Sequence, residues 1–279
     1  MPAGGSEVRH GGRIELRREG QVTTIVVDGH PQSHVNLDDP ADLGFEYLLQ
    51  MALVLDTLPP PPPARLAVTH VGGAGLSLAR YVAASRPGSP QLVFEPDEEL
   101  TSLVRRELPL PRGHRIRVRP LDGRAGIAGL AEESAGVVVV DAYAGGRVPA
   151  RLTTAEALAA LRRVLTPRGV LLANLADEPG LRFVARVAAT AAGQGLGHLA
   201  LVGTHDVLKG RRFGNVVLVA RGVALDETAI RTALARRAIG AGLRDGTAMV
   251  RLVRSARPFT DADAAPSPAP PPPGRWRVC

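Results

Sequence analysis

Four positions along the middle of the chain carry residue types suited to gripping a nucleoside and moving a proton. Gly72, Gly73 and Gly75 follow a short apolar run, Glu95 follows the next one, Asp122 with Gly123 the third, and Asp141 the fourth. Glycines at a strand end let the backbone approach a ligand and leave N–H groups free at the start of a helix. An acid about 20 residues further on can accept both hydrogen bonds of a ribose diol. Glu95 lies 20 positions after Gly75. Asp141 closes the apolar run 137–140 and is placed to take a proton from an attacking amine or to hold an amino group. A single acid after a strand is commonly a helix cap, and Asp122 in particular could serve the segment that starts at Arg124. Four such positions in succession favour a nucleoside site.

The elements that must position these residues are legible as an alternation. Apolar runs at 66–71, 91–94, 115–118, 136–140, 170–174, 199–202 and 215–219 predict strands. Amphipathic segments at 76–84, 98–107, 127–132, 154–164, 180–192 and 226–238 predict helices. Helices between successive strands demand right-handed crossovers and a mainly parallel sheet. The last two strands have only residues 203–214 between them, which predicts an antiparallel hairpin. The expectation is therefore an α/β fold: a seven-strand, Rossmann-like sheet of the S-adenosylmethionine-dependent methyltransferase type, rather than a dehydrogenase sheet.

Two further punctuation marks divide the chain. The proline run 59–63 reads as a stiff linker. Before it, residues 1–58 read as a small β-rich module with strands at 13–17 and 22–28 and one helix at 43–58. The nucleoside-binding domain is expected over 64–255, ending in a helical extension. Residues 256–279, dense in Pro and Ala, read as a disordered tail; Trp276 and Cys279 within it are expected to be unremarkable.

Composition narrows the classes. The chain has 279 residues and is 45% hydrophobic, enough for a core, with 3% aromatic residues, so Leu, Val and Ala must carry the packing. The net charge of +7 comes from scattered arginines, and with so few aromatics there is no stacking platform; nucleic-acid binding is not expected. No apolar run approaches the ~20 residues that span a bilayer, and the first residues lack a signal-peptide pattern. A cytoplasmic protein without membrane contact is the expectation. Cys279 is the single cysteine and the seven histidines are dispersed, with only His30 and His34 close together, so no metal site is expected.

From residue 13 to about 220 the chain resembles the spermidine synthase family (polyamine aminopropyltransferases), in particular divergent actinobacterial members. Val27, Asp28, Gly29, His30, Pro31 and Gln32 stand where that family has L-D-G-x-x-Q. Residues 71–75 (V-G-G-A-G) match its glycine loop G-G-G-D-G. Glu95 matches its ribose-binding acid and Asp122–Gly123 its adenine-binding D-G pair. Asp141, Ala142, Tyr143 and Ala144 match the start of its catalytic D-S-S-D motif. Asn174, Asp177 and Pro179 are a loose echo of its Q-x-E-x-P.

The resemblance implies an aminopropyl transfer in polyamine biosynthesis. The co-substrate would be decarboxylated S-adenosylmethionine, or S-adenosylmethionine itself, and the acceptor a small amine. Asp141 would be the base, with residues 142–152 forming a gate lined by Tyr143 and Gln32 contributing from the N-terminal module. A homo-oligomer, a dimer, is implied in the same way. Two departures bear on this: Ala74 and Ala144 replace aspartates that in the family face cationic substrate. An aspartate at 74 would repel the carboxylate of ordinary S-adenosylmethionine, and Ala74 does not. A methyltransferase, or a non-catalytic nucleoside-binding protein, is the alternative.

Overall fold

The computed structural model describes residues 6–10, 13–254 and 256–271. Trp276 and Cys279 lie outside the described residues.

Two sheets organise the chain. The first is antiparallel, in the order β1 (Ser6–His10), β2 (Ile14–Glu19), β3 (Val22–Val27) and β4 (His30–Asn36). In β2 the apolar Ile14 and Leu16 alternate with more exposed residues, and with Ile25 of β3 they are buried on one face. That inner face, with Val35, packs on Leu76, Ala79, Leu100 and Val104 of the larger domain.

The second sheet is built as β5 (Val68–Val71), α2 (Ser77–Ser85), β6 (Gln91–Phe94), α3 (Glu98–Glu107), β7 (Ile116–Arg119), α4 (Gly123–Ala128), β8 (Ala135–Val140), α5 (Ala155–Val164) and β9 (Leu165–Asp177). It continues through α6 (Arg182–Gly193), β10 (His198–Thr204), α7 (His205–Leu208), β11 (Gly214–Arg221), α8 (Glu227–Arg237), β12 (Ala241–Arg244) and α9 (Gly246–Arg254). The spatial order is β12-β10-β11-β9-β8-β5-β6-β7. Strands β5 to β9 are mutually parallel, while β11, β10 and β12 add antiparallel to one edge. β5 and β8 are buried on both faces, as parallel central strands covered by helices must be. The sheet therefore has the expected methyltransferase-like order, with eight strands rather than seven, because β12 pairs with β10 on the outer edge.

Side-chain caps set the helix starts. Asp97 accepts from the Leu100 amide at 2.9 Å, Thr154 from Ala157 at 3.3 Å, and Asp226 from Ala229 at 2.8 Å. Asp122 does the same for α4, which begins at Gly123, earlier than the expected 127–132. The hairpin β10–β11 is antiparallel as expected, with the one-turn helix α7 inside its loop.

Two boundaries differ from expectation. Helix α1 (Glu46–Thr57) does not belong to the small β module. Its Met51, Val54 and Leu55 are buried with Val68, Val139 and Val219 against the large sheet, so packing divides after β4 rather than at residue 58. The proline run is pinned as well. Arg86, fully buried, donates to the carbonyls of Leu55, Leu58, Pro60 and Ala64 at 2.6–3.1 Å. The segment 256–271 is the second correction. It is not loose: Phe259 is buried beside Phe183, and Arg186 stacks 3.8 Å over its ring. Asp261 binds Arg124 and the Thr154 hydroxyl, and Asp263 binds Arg186. An aromatic anchor and two aspartates help to hold a stretch whose composition suggested disorder.

Candidate active site

The ladders of the central strands run one residue past their ends and deliver the key positions to one edge. The Gly72 amide donates to Phe94 O at 2.9 Å, that of Glu95 to Arg119 O at 3.1 Å, and that of Asp141 to Val71 O at 2.9 Å. Gly72, Glu95 and Asp141 thus share the carboxyl ends of β5, β6 and β8. They line one cavity of about 1030 Å³, together with Gln32, Asp122 and Tyr143. Gly73 and Gly123 line it too, whereas Gly75 does not: it lies behind the turn, its amide bonded to Ser33. The volume is at the upper end for small-molecule sites and suffices for two substrates side by side.

One half of the cavity is made of backbone. Gly72 has φ +86°, and a Cβ there would lie 2.1 Å from the Asp141 carbonyl oxygen. A Cβ on Gly73 would meet Val93, one on Gly75 would meet Ile25 and Ser33, and one on Gly123 would meet Val71. The turn is held from both sides. Glu95 Oε2 accepts from the Gly73 and Ala74 amides at 3.1 Å, and its Oε1 accepts from Asp97 N at 3.1 Å. Ser33 Oγ, from β4, accepts from Gly75 N at 2.9 Å, and Ser77 Oγ donates to His34 O at 2.6 Å. The small sheet is therefore part of the glycine turn's support.

Asp122 stands at the rim with both oxygens engaged. Oδ1 accepts from Arg124 N at 3.0 Å and Ala125 N at 3.4 Å, while Oδ2 is paired with Arg151. The cap anticipated for this residue is present. Its partner Arg151 lies in the segment 142–152, so the same acid ties that segment to the rim.

The other half is made of side chains. Asp141 Oδ1 accepts from Asn174 Nδ2 at 2.9 Å, and the Tyr47 hydroxyl also hydrogen-bonds this carboxylate. Asn215 Nδ2 donates to Asn174 Oδ1 at 2.9 Å and to the Tyr143 hydroxyl at 3.0 Å. Asp141 opens on the cavity, yet the crowding of protein around it dominates. Desolvation pushes its carboxyl up to about 6, against the smaller opposing pull of Asn174 and Tyr47. Burial, and then the Asp141 charge, hold the Tyr47 and Tyr143 hydroxyls well above the ordinary tyrosine range, so both stay protonated. His70 is buried against Gln91 at 2.9 Å and pushed down to about 4 by burial. It is neutral at neutral pH and acts as a wall.

Tyr47 and Asn215 were missed in the sequence. Tyr47 sits in the first turn of a helix whose centre is mostly apolar, and Asn215 is the single polar residue at the start of β11. A lone polar residue at the end of a buried strand is the signal that could have found Asn215. Nothing local marks Tyr47, because the long-range packing of α1 brings it to Asp141. Ala74 and Ala144 both line the cavity, and Ala74 takes φ +38° in the glycine turn. Ala144 and Arg147 close a tight turn through paired backbone bonds of 2.9 and 3.1 Å. Among the described residues no cluster of His, Cys, Asp and Glu has the arrangement of a metal centre, and no helix is long and apolar enough to cross a membrane.

No family model matches the chain. The polyamine aminopropyltransferase of Chromobacterium violaceum is 25% identical over 163 residues, 58% of this chain, and the match spans 60% of that relative's length. The crystal structure of a probable spermidine synthase from Corynebacterium glutamicum superposes with a TM-score of 0.83 at 28% identity, covering 92% of this chain and 96% of that one. A spermidine synthase solved with the transition-state analogue AdoDATO shares the fold at 12% identity and a TM-score of 0.60, covering 83% and 78%. The chain is a divergent spermidine synthase-like protein.

Proposed function

We propose that the cavity transfers an aminopropyl group from an adenosyl sulfonium donor to a small amine, a step of polyamine biosynthesis. The observation that carries this is Asp141. It is a carboxylate at the carboxyl end of the strand beside the glycine turn, pushed up to about 6 and oriented by Asn174 and Tyr47. A base whose pKa lies near the working pH takes a proton far better than an ordinary surface carboxylate.

Two features fit a nucleoside in the other half. The glycine turn leaves no room for side chains where a ribose must approach, and Glu95 is fixed by three backbone N–H groups with lone pairs left over. Glu95 would hold the ribose hydroxyls. Asp122 and Gly123 would border the adenine, with the Asp122–Arg151 pair opening for it. When bound, the sulfonium supplies an electrophilic carbon with a neutral thioether as leaving group. Asp141 orients the amine, and takes the proton that nitrogen loses as the new C–N bond forms and the C–S bond breaks. The gate 142–152 excludes water while Tyr143 and Gln32 line the acceptor side.

Ala74 and Ala144 support a second reading. They leave the site without two carboxylates that would face cationic substrate, which suits S-adenosylmethionine and methyl transfer, or nucleoside binding without turnover. A paired assay separates the readings: a diamine with decarboxylated S-adenosylmethionine, against a panel of amines with S-adenosylmethionine. Restoring the acid by Ala74→Asp should favour the decarboxylated donor in either case. A cytoplasmic homodimer built through the small sheet belongs to the same proposal, and sedimentation at two concentrations tests the dimer.

A further inference from the structure

Residues 264–271 form neither helix nor strand, yet Ser267 is fully buried. Its amide donates to the Val148 carbonyl at 3.1 Å, and its hydroxyl oxygen accepts from the Val148 amide at 2.9 Å. Arg147 Nε donates to its carbonyl at 2.5 Å. Three bonds thus clamp the tail to two consecutive residues of the gate. Three residues later the tail reaches the gate's turn. A Cβ on Gly146 would lie 3.0 Å from Pro270 Cγ and 3.5 Å from His30 Cε1. Pro270 and Pro271 both line the cavity. The tail, the gate and the small sheet therefore meet at one point, two residues along β4 from Gln32.

We propose that residues 264–271 are the outer wall of the acceptor chamber and select which amines enter it. This rests on the reading of the cavity as an amine-transfer site. A wall of two prolines has no N–H to donate, carries no charge and is held near one backbone conformation. It suits the methylene body of a linear primary amine whose nitrogen sits at Asp141, and offers nothing to a second ammonium at that point. Branched or bulky amines are excluded because the wall is fixed through Ser267 and cannot recede. The clamp also accounts for a gate that is ordered although its turn, 144–147, contains two glycines in the left-handed region.

Two variants test this: a chain ending after residue 263, which keeps Phe259, Asp261 and Asp263, and full-length Pro270→Gly, which keeps the clamp and opens the wall. Each is compared with the unaltered chain by trypsin cleavage after Arg147, by calorimetry with methylthioadenosine, and by calorimetry of linear and branched amines on the methylthioadenosine-saturated protein. The shortened chain should be cut at Arg147 at least tenfold faster, with methylthioadenosine affinity within twofold. Both variants should bind branched amines at least fivefold more tightly, and only the shortened one should lose trypsin resistance. Unchanged cleavage of the shortened chain would overturn the clamp, and an unchanged amine profile in Pro270→Gly would overturn the selecting wall. If the unaltered chain binds no amine, the transfer reading fails and selection with it, while cleavage at Arg147 still decides the clamp.

Discussion

The two halves of the cavity are built from different materials. Around Glu95 the contacts are backbone amides and glycines on short turns between adjacent elements, and a side chain at position 72 would strike the backbone of residue 141. Around Asp141 the contacts are side chains drawn from α1, β9 and β11, with residues 267–271 closing the outside. The first half tolerates little change because backbone cannot be repacked. The second is a set of replaceable side chains. The two alanines at positions where the resemblance implies an acid are split between them, Ala74 in the glycine turn and Ala144 on the Asp141 side.

The largest effect should come from the rigid half. Gly72→Ala places a Cβ at 2.1 Å from a carbonyl oxygen in a left-handed conformation. It should cost about 3 kcal/mol or more of folding stability, read by urea unfolding. A stable Gly72→Ala protein would break the contrast outright. Asp141→Asn comes next: turnover should fall by about 10²–10⁴ while methylthioadenosine binding changes little. Glu95→Gln should do the reverse, weakening methylthioadenosine by about 1.5–3 kcal/mol in calorimetry.

A smaller effect is a pH signature of Asp141. Its carboxyl, at about 6 in the folded chain, keeps a proton that the unfolded chain has lost over roughly pH 4–6. The folded state binds more protons in that window, so this group's contribution to stability is fully present below about pH 4 and is lost as pH rises through 6. The unaltered chain should lose on the order of 2 kcal/mol relative to Asp141→Asn across the window, measured by denaturant titration at each pH. Smallest is Tyr143→Phe, which removes the oxygen that accepts from Asn215 and should cost about 0.5–1.5 kcal/mol.

The same contrast decides what could be read from the sequence. The glycine turn, Glu95 and Asp141 were legible because each lies where a strand ends, and strand ends are marked by local patterns. The alternation of 66–219 gave the sheet. Strand β12 was missed because A-G-L-R carries no strand pattern and forms only by adding to the β10 edge. Strand β4 was hidden by His30, Pro31 and Gln32: the first two pair only because β3 is there, and Gln32 falls at a shift in the register. Tyr47 required knowing that α1 packs on the large sheet. The tail misled through composition: prolines and alanines read as disorder, yet Phe259 and Ser267 each find a buried site supplied by distant residues.

The most direct test follows the product nucleoside. The protein is incubated with a linear diamine and either decarboxylated S-adenosylmethionine or S-adenosylmethionine, and the products are separated by mass spectrometry. Methylthioadenosine and an aminopropylated amine should form with the decarboxylated donor and vanish in Asp141→Asn. S-adenosylhomocysteine and a methylated amine from the ordinary donor, with no methylthioadenosine from the other, would contradict the proposed transfer.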